Sequence, residues 1–177
     1  MRALRVAAVV GAAATLMLVA AGSAGARSET DIAAVRAATT QFKNAAAAQA
    51  AGYGRLVDAA GIACIDSPVG GMGIHYVNAD LVADPTLEPT RPEVLVYQPD
   101  EHGKLQLVAV EYVVFEADWP RDDPPALFSE EFERLPGAGE SEPQNRYGLR
   151  AFYELHIWLW KHNPAGMFED WNPKVSC

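Results

Sequence analysis

The chain has 177 residues, half of them apolar, 9% aromatic and 21% charged, a balance that supports a packed domain and excludes an intrinsically disordered chain. Its length suits one domain and is short for two. Twenty-three acidic against 14 basic residues give a net charge of −9, which repels phosphate backbones and anionic lipid and so sets nucleic acid and anionic membranes aside as partners.

Residues 1–26 read as a secretory signal. Arg2 and Arg5 form the positive start, Val6 to Ala21 is an unbroken apolar or small run, and Ala24-Gly25-Ala26 is a small-residue cleavage box. The competing reading is a retained membrane anchor. The Ala- and Gly-rich run brings little apolar area into a bilayer, which argues for cleavage and against stable insertion afterwards. Cleavage leaves a single secreted, extracytoplasmic domain over residues 27–177, large enough to bury roughly 68–70% of the surface its unfolded chain exposes. Its two cysteines, Cys64 and Cys177, point to a disulfide closing a loop of over one hundred residues, against the alternative of two free thiols.

The spacing predicts a helix over 29–60. Thr30 or Asp31 caps it, and Ile32, Val35, Ala38 or Thr39, Phe42, Ala45 and Ala46 form a narrow stripe. Gly52 and Gly54 weaken it before a further turn at Leu56 to Ala60. Gly70-Gly71-Met72-Gly73 lacks the Lys-Ser/Thr of a phosphate loop and reads as a tight turn. Ile74 to Val77 is a first strand, and residues 80–91, with Pro85 and Pro89, are a loop holding one helical turn. Glu93 to Tyr97 and Leu105 to Phe115 are two strands of a hairpin, joined by the turn-forming Pro99 to Gly103. Residues 116–149 are irregular, with a short helix near 125–132, and are of a length that often serves as a lid or binding loop. Phe152 to His162 is the last strand, and Phe168 and Trp171 dock the tail. The expected class is α+β: an N-terminal helix packed on a curved antiparallel sheet with long irregular loops.

Alternation sorts the faces. Leu107, Ala109, Glu111, Val113 and Phe115 share one side of the long strand, and Val108, Val110, Tyr112 and Val114 the other. Both sides are apolar, so the strand is central and Glu111 is buried. Such a carboxylate must pair, bind a metal or take up a proton. On the last strand Glu154, His156, Trp158, Trp160 and His162 oppose Leu155, Ile157 and Leu159, a polar-aromatic face suited to a ligand pocket.

If His75, Glu111 and His156 converge, two imidazoles and a carboxylate make a ligand set for zinc, iron or manganese with positions left for water or substrate. Glu154, Trp158, Trp160 and His162 then line the ligand side, Glu154 or His162 as support for the ligands or as an acid/base group. The two indoles serve as stacking platforms or as core. A non-metal polar pocket uses the same residues. In the structural alternative Glu111 is satisfied by Arg, Tyr or backbone donors. No H-x-H or H-E-x-x-H spacing is present, and no serine sits in G-x-S-x-G. Glu111 with Glu154 is also the residue pair a glycosidase would need. The functional readings are therefore a small-ligand or metal-ion binding protein, a metal- or acid/base-dependent enzyme, and an interaction module whose 116–149 segment meets a protein partner.

The blocks from Gly71 to Asn78, Arg91 to Tyr97, Leu107 to Val113 and Glu154 to Trp160, continuing through Asn163 to Phe168 and Trp171 to Cys177, resemble a group of exported bacterial proteins. That likeness implies export and carries no activity. A fainter one is to the oil-body-associated protein family, in which strands corresponding to His75, Tyr97 and Glu111-Tyr112 occur in the same order. Ala109 stands where that family tends to have Gly, and its His-rich segments are missing, so the likeness implies a shared fold more than a shared role.

Overall fold

A computed structural model describes residues 23–140 and 144–177. The expected leader lies outside the described residues as far as position 22. The chain opens with α1 (Ser23–Thr39), a 3-10 turn (Thr40–Lys43) and α2 (Ala45–Ala50), which Asn44 caps by accepting the Ala46 N–H. The small-residue stripe packs in part: Val35 and Thr39 are buried and Ile32, Phe42 and Ala45 lie against the core, but Ala46 is exposed and Ala48 is the buried residue of α2. The helical region stops ten residues short of the expected end. Gly52 takes φ +94° and the chain enters β1 (Tyr53–Arg55). Leu56 to Ala60 form no helical turn, because the Asp58 carboxylate accepts the N–H groups of Ala60 and Ile62 and folds that stretch into a loop.

The remaining strands are β2 (Cys64–Ser67), β3 (Gly70–Asn78), β4 (Val94–Pro99), β5 (Leu105–Phe115), β6 (Ala126–Leu127), β7 (Glu130–Glu131), β8 (Glu133–Leu135) and β9 (Phe152–Ile157), with a one-turn α3 (Ala79–Val82) after β3. Seven of them form an open antiparallel sheet in the order β1-β3-β4-β5-β9-β8, β2 sharing the outer edge of β3 with β1. The fold is α+β. β5 occupies the expected residues, and its hairpin with β4 turns through Asp100, whose carboxylate accepts the N–H groups of His102 and Lys104.

The glycine run is strand rather than turn. At Gly70, φ +145°, a Cβ would stand 2.5 Å from the Asn172 backbone, and at Gly73, φ +105°, one would stand 2.7 Å from the Tyr97 carbonyl oxygen. These positions let the C-terminal tail and β4 approach β3 closely. Gly71 and Asn172 exchange backbone hydrogen bonds at 3.1 Å, Val175 is buried, and Cys64 is disulfide-bonded to Cys177.

Three further expectations change. The helix near 125–132 is instead the β6–β7 hairpin. Phe128 and Ser129, both at positive φ, reverse the chain and bring Phe132 into the core. The register between β4 and β5 slips, Val96 facing Ala109 but Tyr97 facing Leu107, so Leu107 joins the helix-side core and parts from Ala109. The last strand ends at Ile157, since the Trp158 N–H bonds the Met167 carbonyl in the tail.

The sheet separates two clusters. On the helix side lie Tyr76, Leu95, Tyr97, Val110, Tyr112, Leu155 and Ile157; on the other lie Val94, Val96, Val108, Ala109, Trp158 and Val175. Because Cys64 and Cys177 are 113 residues apart, the chain-entropy account predicts that Cys177→Ser lowers unfolding free energy by about 4–5 kcal/mol. Denaturant titration checks this; a loss below about 1 kcal/mol would show that the Asn172 and Val175 contacts alone hold the tail.

Candidate metal centre

The face away from the helices carries the chemistry. Glu111 of β5 stands directly opposite His156 of β9 on one side and Val94 of β4 on the other, while His75 of β3 stands opposite Val96 of β4. Two strand spacings, about 10 Å, separate β3 from β5. The intervening β4 residues are short valines, so the longer His75 and Glu111 side chains meet above them: His75 Nε2 is 3.5 Å from Glu111 Oε2. One ligand atom from each of His75, Glu111 and His156 lies within 4.8 Å of the others, and all three residues are buried. Donors around one ion at 2.0–2.2 Å stand about 3–3.5 Å apart, so small side-chain rotations close the set.

Surrounding groups hold these side chains. The Trp158 ring lies against His156 with centroids 4.6 Å apart, and its Nε1–H donates to the Glu169 carbonyl. Tyr147 meets His75 edge-on at 6.4 Å. Glu111 and Glu154 share a side-chain hydrogen bond. The backbone of His75 is bonded on its β1 side by the Leu56 N–H at 2.8 Å.

Burial dominates the electrostatics. It pushes His75 down to about 4, with the Arg146 charge adding to the effect, and His156 down to about 3, with His75 adding. Burial pushes Glu111 up to about 7, against the hydrogen bond from Glu154, and raises Glu154 well above the usual carboxylate range, with Glu111 adding. Burial likewise raises Asp170 to about 7, helped by Glu154. The close His75–Glu111 contact is therefore no ion pair near neutral pH, because burial keeps His75 uncharged whether or not Glu111 has lost its proton. All four ring nitrogens of the two histidines are buried without a hydrogen-bond partner. Arg146 does not neutralise Glu111; its guanidinium is engaged by Asp58 at 2.8 Å, and its carbonyl accepts the Ala59 N–H.

The expected ligand face forms only in part. Glu154, His156 and Trp158 lie on it. Trp160 does not: past the end of β9 it turns to the helix side, where Lys43 Nζ stands 3.8 Å from its ring centroid and Arg36 caps it as well. His162 is exposed in the tail. Both were grouped with the site by extending alternation beyond Ile157, where the strand has ended. Glu111 and Glu154 are hydrogen-bonded to each other, whereas the carboxyls of a glycosidase stand roughly 5 Å or more apart across the scissile bond. Tyr147, Asp170 and the Asp58–Arg146 clasp went unnoticed in the sequence, since they sit in loops without periodicity.

An apolar cavity of about 80 Å³ opens beside the cluster, lined by His75, Glu111, Glu154 and Tyr147 at one end. Comparison of the chain with family models, curated proteins and solved structures gave no match.

Stability of the metal-free protein should depend on pH in a defined sense. The histidines take up protons on unfolding below about 6.5, so their contribution is lost as pH falls from there toward 4. The raised carboxyls release protons on unfolding above about 4.5, so theirs is present below that pH and is lost as pH rises toward 7 and beyond. From pH 6.5 to 8 only the carboxyl side operates. The melting temperature of chelator-treated protein should fall across that interval, and fall less in Glu111→Gln. A flat or rising profile would show that these carboxyls are ionised in the fold.

Proposed function

We propose that this is an exported metal-binding protein whose divalent ion is held by His75, Glu111 and His156. The observation that carries the reading is the set of four buried, unpartnered imidazole nitrogens beside a buried carboxyl. A structural histidine normally has its ring nitrogens hydrogen-bonded, because each buried unmet polar group costs about 1–3 kcal/mol. A divalent cation would meet two of the four nitrogens and the carboxyl together. It takes one lone pair from each neutral imidazole, and its charge favours the carboxylate form of Glu111 that burial alone disfavours. Glu154, bonded to Glu111, and Trp158, stacked on His156, orient the ligands. Two nitrogens and one oxygen suit zinc, iron(II) or manganese.

Export rests on the leader-like residues 1–26, on the likeness to exported bacterial proteins, and on the disulfide, which belongs to oxidising compartments. No helix among the described residues is long and apolar enough to cross a membrane. The cavity beside Glu111 supports a second reading, a metal-dependent enzyme, because three protein ligands leave coordination positions for water and substrate.

Elemental analysis of protein exported to an oxidising compartment and purified without chelator tests the reading. About one equivalent of zinc, iron or manganese per chain is expected, falling at least tenfold in Glu111→Gln and in His156→Leu with the circular dichroism spectrum retained. Wild-type protein that takes up none of the three, even after incubation with each, would overturn it.

A further inference from the structure

The cavity beside the cluster is strongly asymmetric. Its polar groups are His75, Glu111, Glu154 and Tyr147, gathered at one end. Its walls are hydrocarbon: Val77, Val94 and Val113 from the sheet, Val82 from α3, and the Phe115–Phe152 pair, packed edge to face at 6.4 Å across β5 and β9. Leu56 and Leu149 border it, the latter 39% exposed. Among the described residues no lysine or arginine lines it. At about 10–15 Å³ for each water-sized sphere, the 80 Å³ space takes roughly five to eight non-hydrogen atoms.

We propose that the centre's ligand is a short, predominantly hydrocarbon molecule that gives one oxygen-donor head group to the metal and lays its tail along these walls. The inference rests on the metal-binding reading. Sugars and amino acids would bring hydroxyl or ammonium groups against walls that offer them no partner, at the full desolvation cost of each group. Phosphate esters would bring several charged oxygens against a lining that, apart from the ion's end, is hydrocarbon and offers them no partner. A single head group on an alkyl or small aryl tail meets neither penalty. The ion satisfies the head, Tyr147 lines the cavity beside His75, and the tail gains from leaving water.

The Asp58–Arg146 clasp limits the size of the tail. It ties the loop after β1 to the segment 144–149 that carries both Tyr147 and Leu149, so the cavity is bordered on two sides by backbone held at 2.8–3.2 Å contacts.

Cobalt(II) loading followed by visible absorption, then titration with acetohydroxamate, butyrohydroxamate and hexanohydroxamate, tests the proposal in two separable stages. Failure of the wild-type protein to take up cobalt overturns the metal centre and the ligand class with it. With cobalt bound, affinity for the hydroxamates should rise about fourfold per added methylene until the cavity is filled. A 4-hydroxybutyrohydroxamate should bind more weakly than butyrohydroxamate. Val113→Thr, which keeps the shape of the wall and adds a hydroxyl, should reduce the gain per methylene. Equal affinity along the series, or tighter binding of the hydroxylated probe, overturns the ligand class and leaves the metal centre standing.

Discussion

The pairing of β5 with β9 places Glu111 opposite His156, and everything said about the site depends on that register. Side chains alternate, so a slip of one residue would send His156 and Glu154 to the helix side and bring Leu155 and Ile157 to the face that now carries the centre. The helix side forbids it. Leu155 and Ile157 are buried there with Tyr112, Val110 and Val35, and an exchange would put a carboxyl and an imidazole into that cluster. The apolar packing of one face thus fixes the geometry of the polar cluster on the other. The helices take no part in the chemistry, yet they select the register that makes it available.

The two faces differ in how fully their polar groups are satisfied. On the helix side the hydroxyls of Tyr53, Tyr97 and Tyr112 donate to the carbonyls of Pro92, Phe42 and Pro89. Each large ring is buried with its polar tip matched. Among the described residues the unmatched buried side-chain atoms are, apart from the Trp160 indole nitrogen on the helix side, the ring nitrogens of His75 and His156 on the opposite face. Glu93 shows the contrast well. It is also buried and raised to about 8 by burial, but its carboxyl accepts the Val113 N–H, and no imidazole stands beside it. Its surroundings thus lack the unpartnered nitrogen donors that accompany Glu111.

How much of this was legible in the sequence follows from where periodicity operates. β5 was readable because eleven residues run on with only Gln106 and Glu111 polar, and its two-sided apolarity correctly made Glu111 a buried group. His75 and His156 could be assigned to the same face as Glu111 only as a supposition, since pairing across strands is a long-range property. Alternation also misled. It carried Leu107 to the wrong face because one residue of β5 bulges, and it carried Trp160 and His162 to the site because nothing local marks Ile157 as the strand's end. That end is set by the Met167 carbonyl, ten residues away in sequence. The glycine run had a second meaning that only the fold reveals. A turn and a surface for close backbone approach call for the same residue, and the tail that presses on Gly70 lies a hundred residues downstream.

Three long-range closures converge on the edge of the sheet that carries His75. The disulfide joins the last residue to Cys64, whose strand partner is Ile74, the neighbour of His75. The Gly71–Asn172 bridge lays the tail beside the same strand. The Asp58–Arg146 clasp fastens the loop that follows β1, and Leu56 in that loop bonds the His75 backbone directly. A cluster of neutralised acids and unpartnered imidazoles is unfavourable by itself, and local structure gives no compensation for it. Its neighbours must therefore be fixed from a distance, so that the side chains cannot relax toward water and acquire partners there. Links spanning 88 and 113 residues tie these segments together, the disulfide chiefly by removing conformations from the unfolded chain. The resulting rigidity is what a preorganised ligand set requires, since donors already near their positions lose little freedom when an ion arrives.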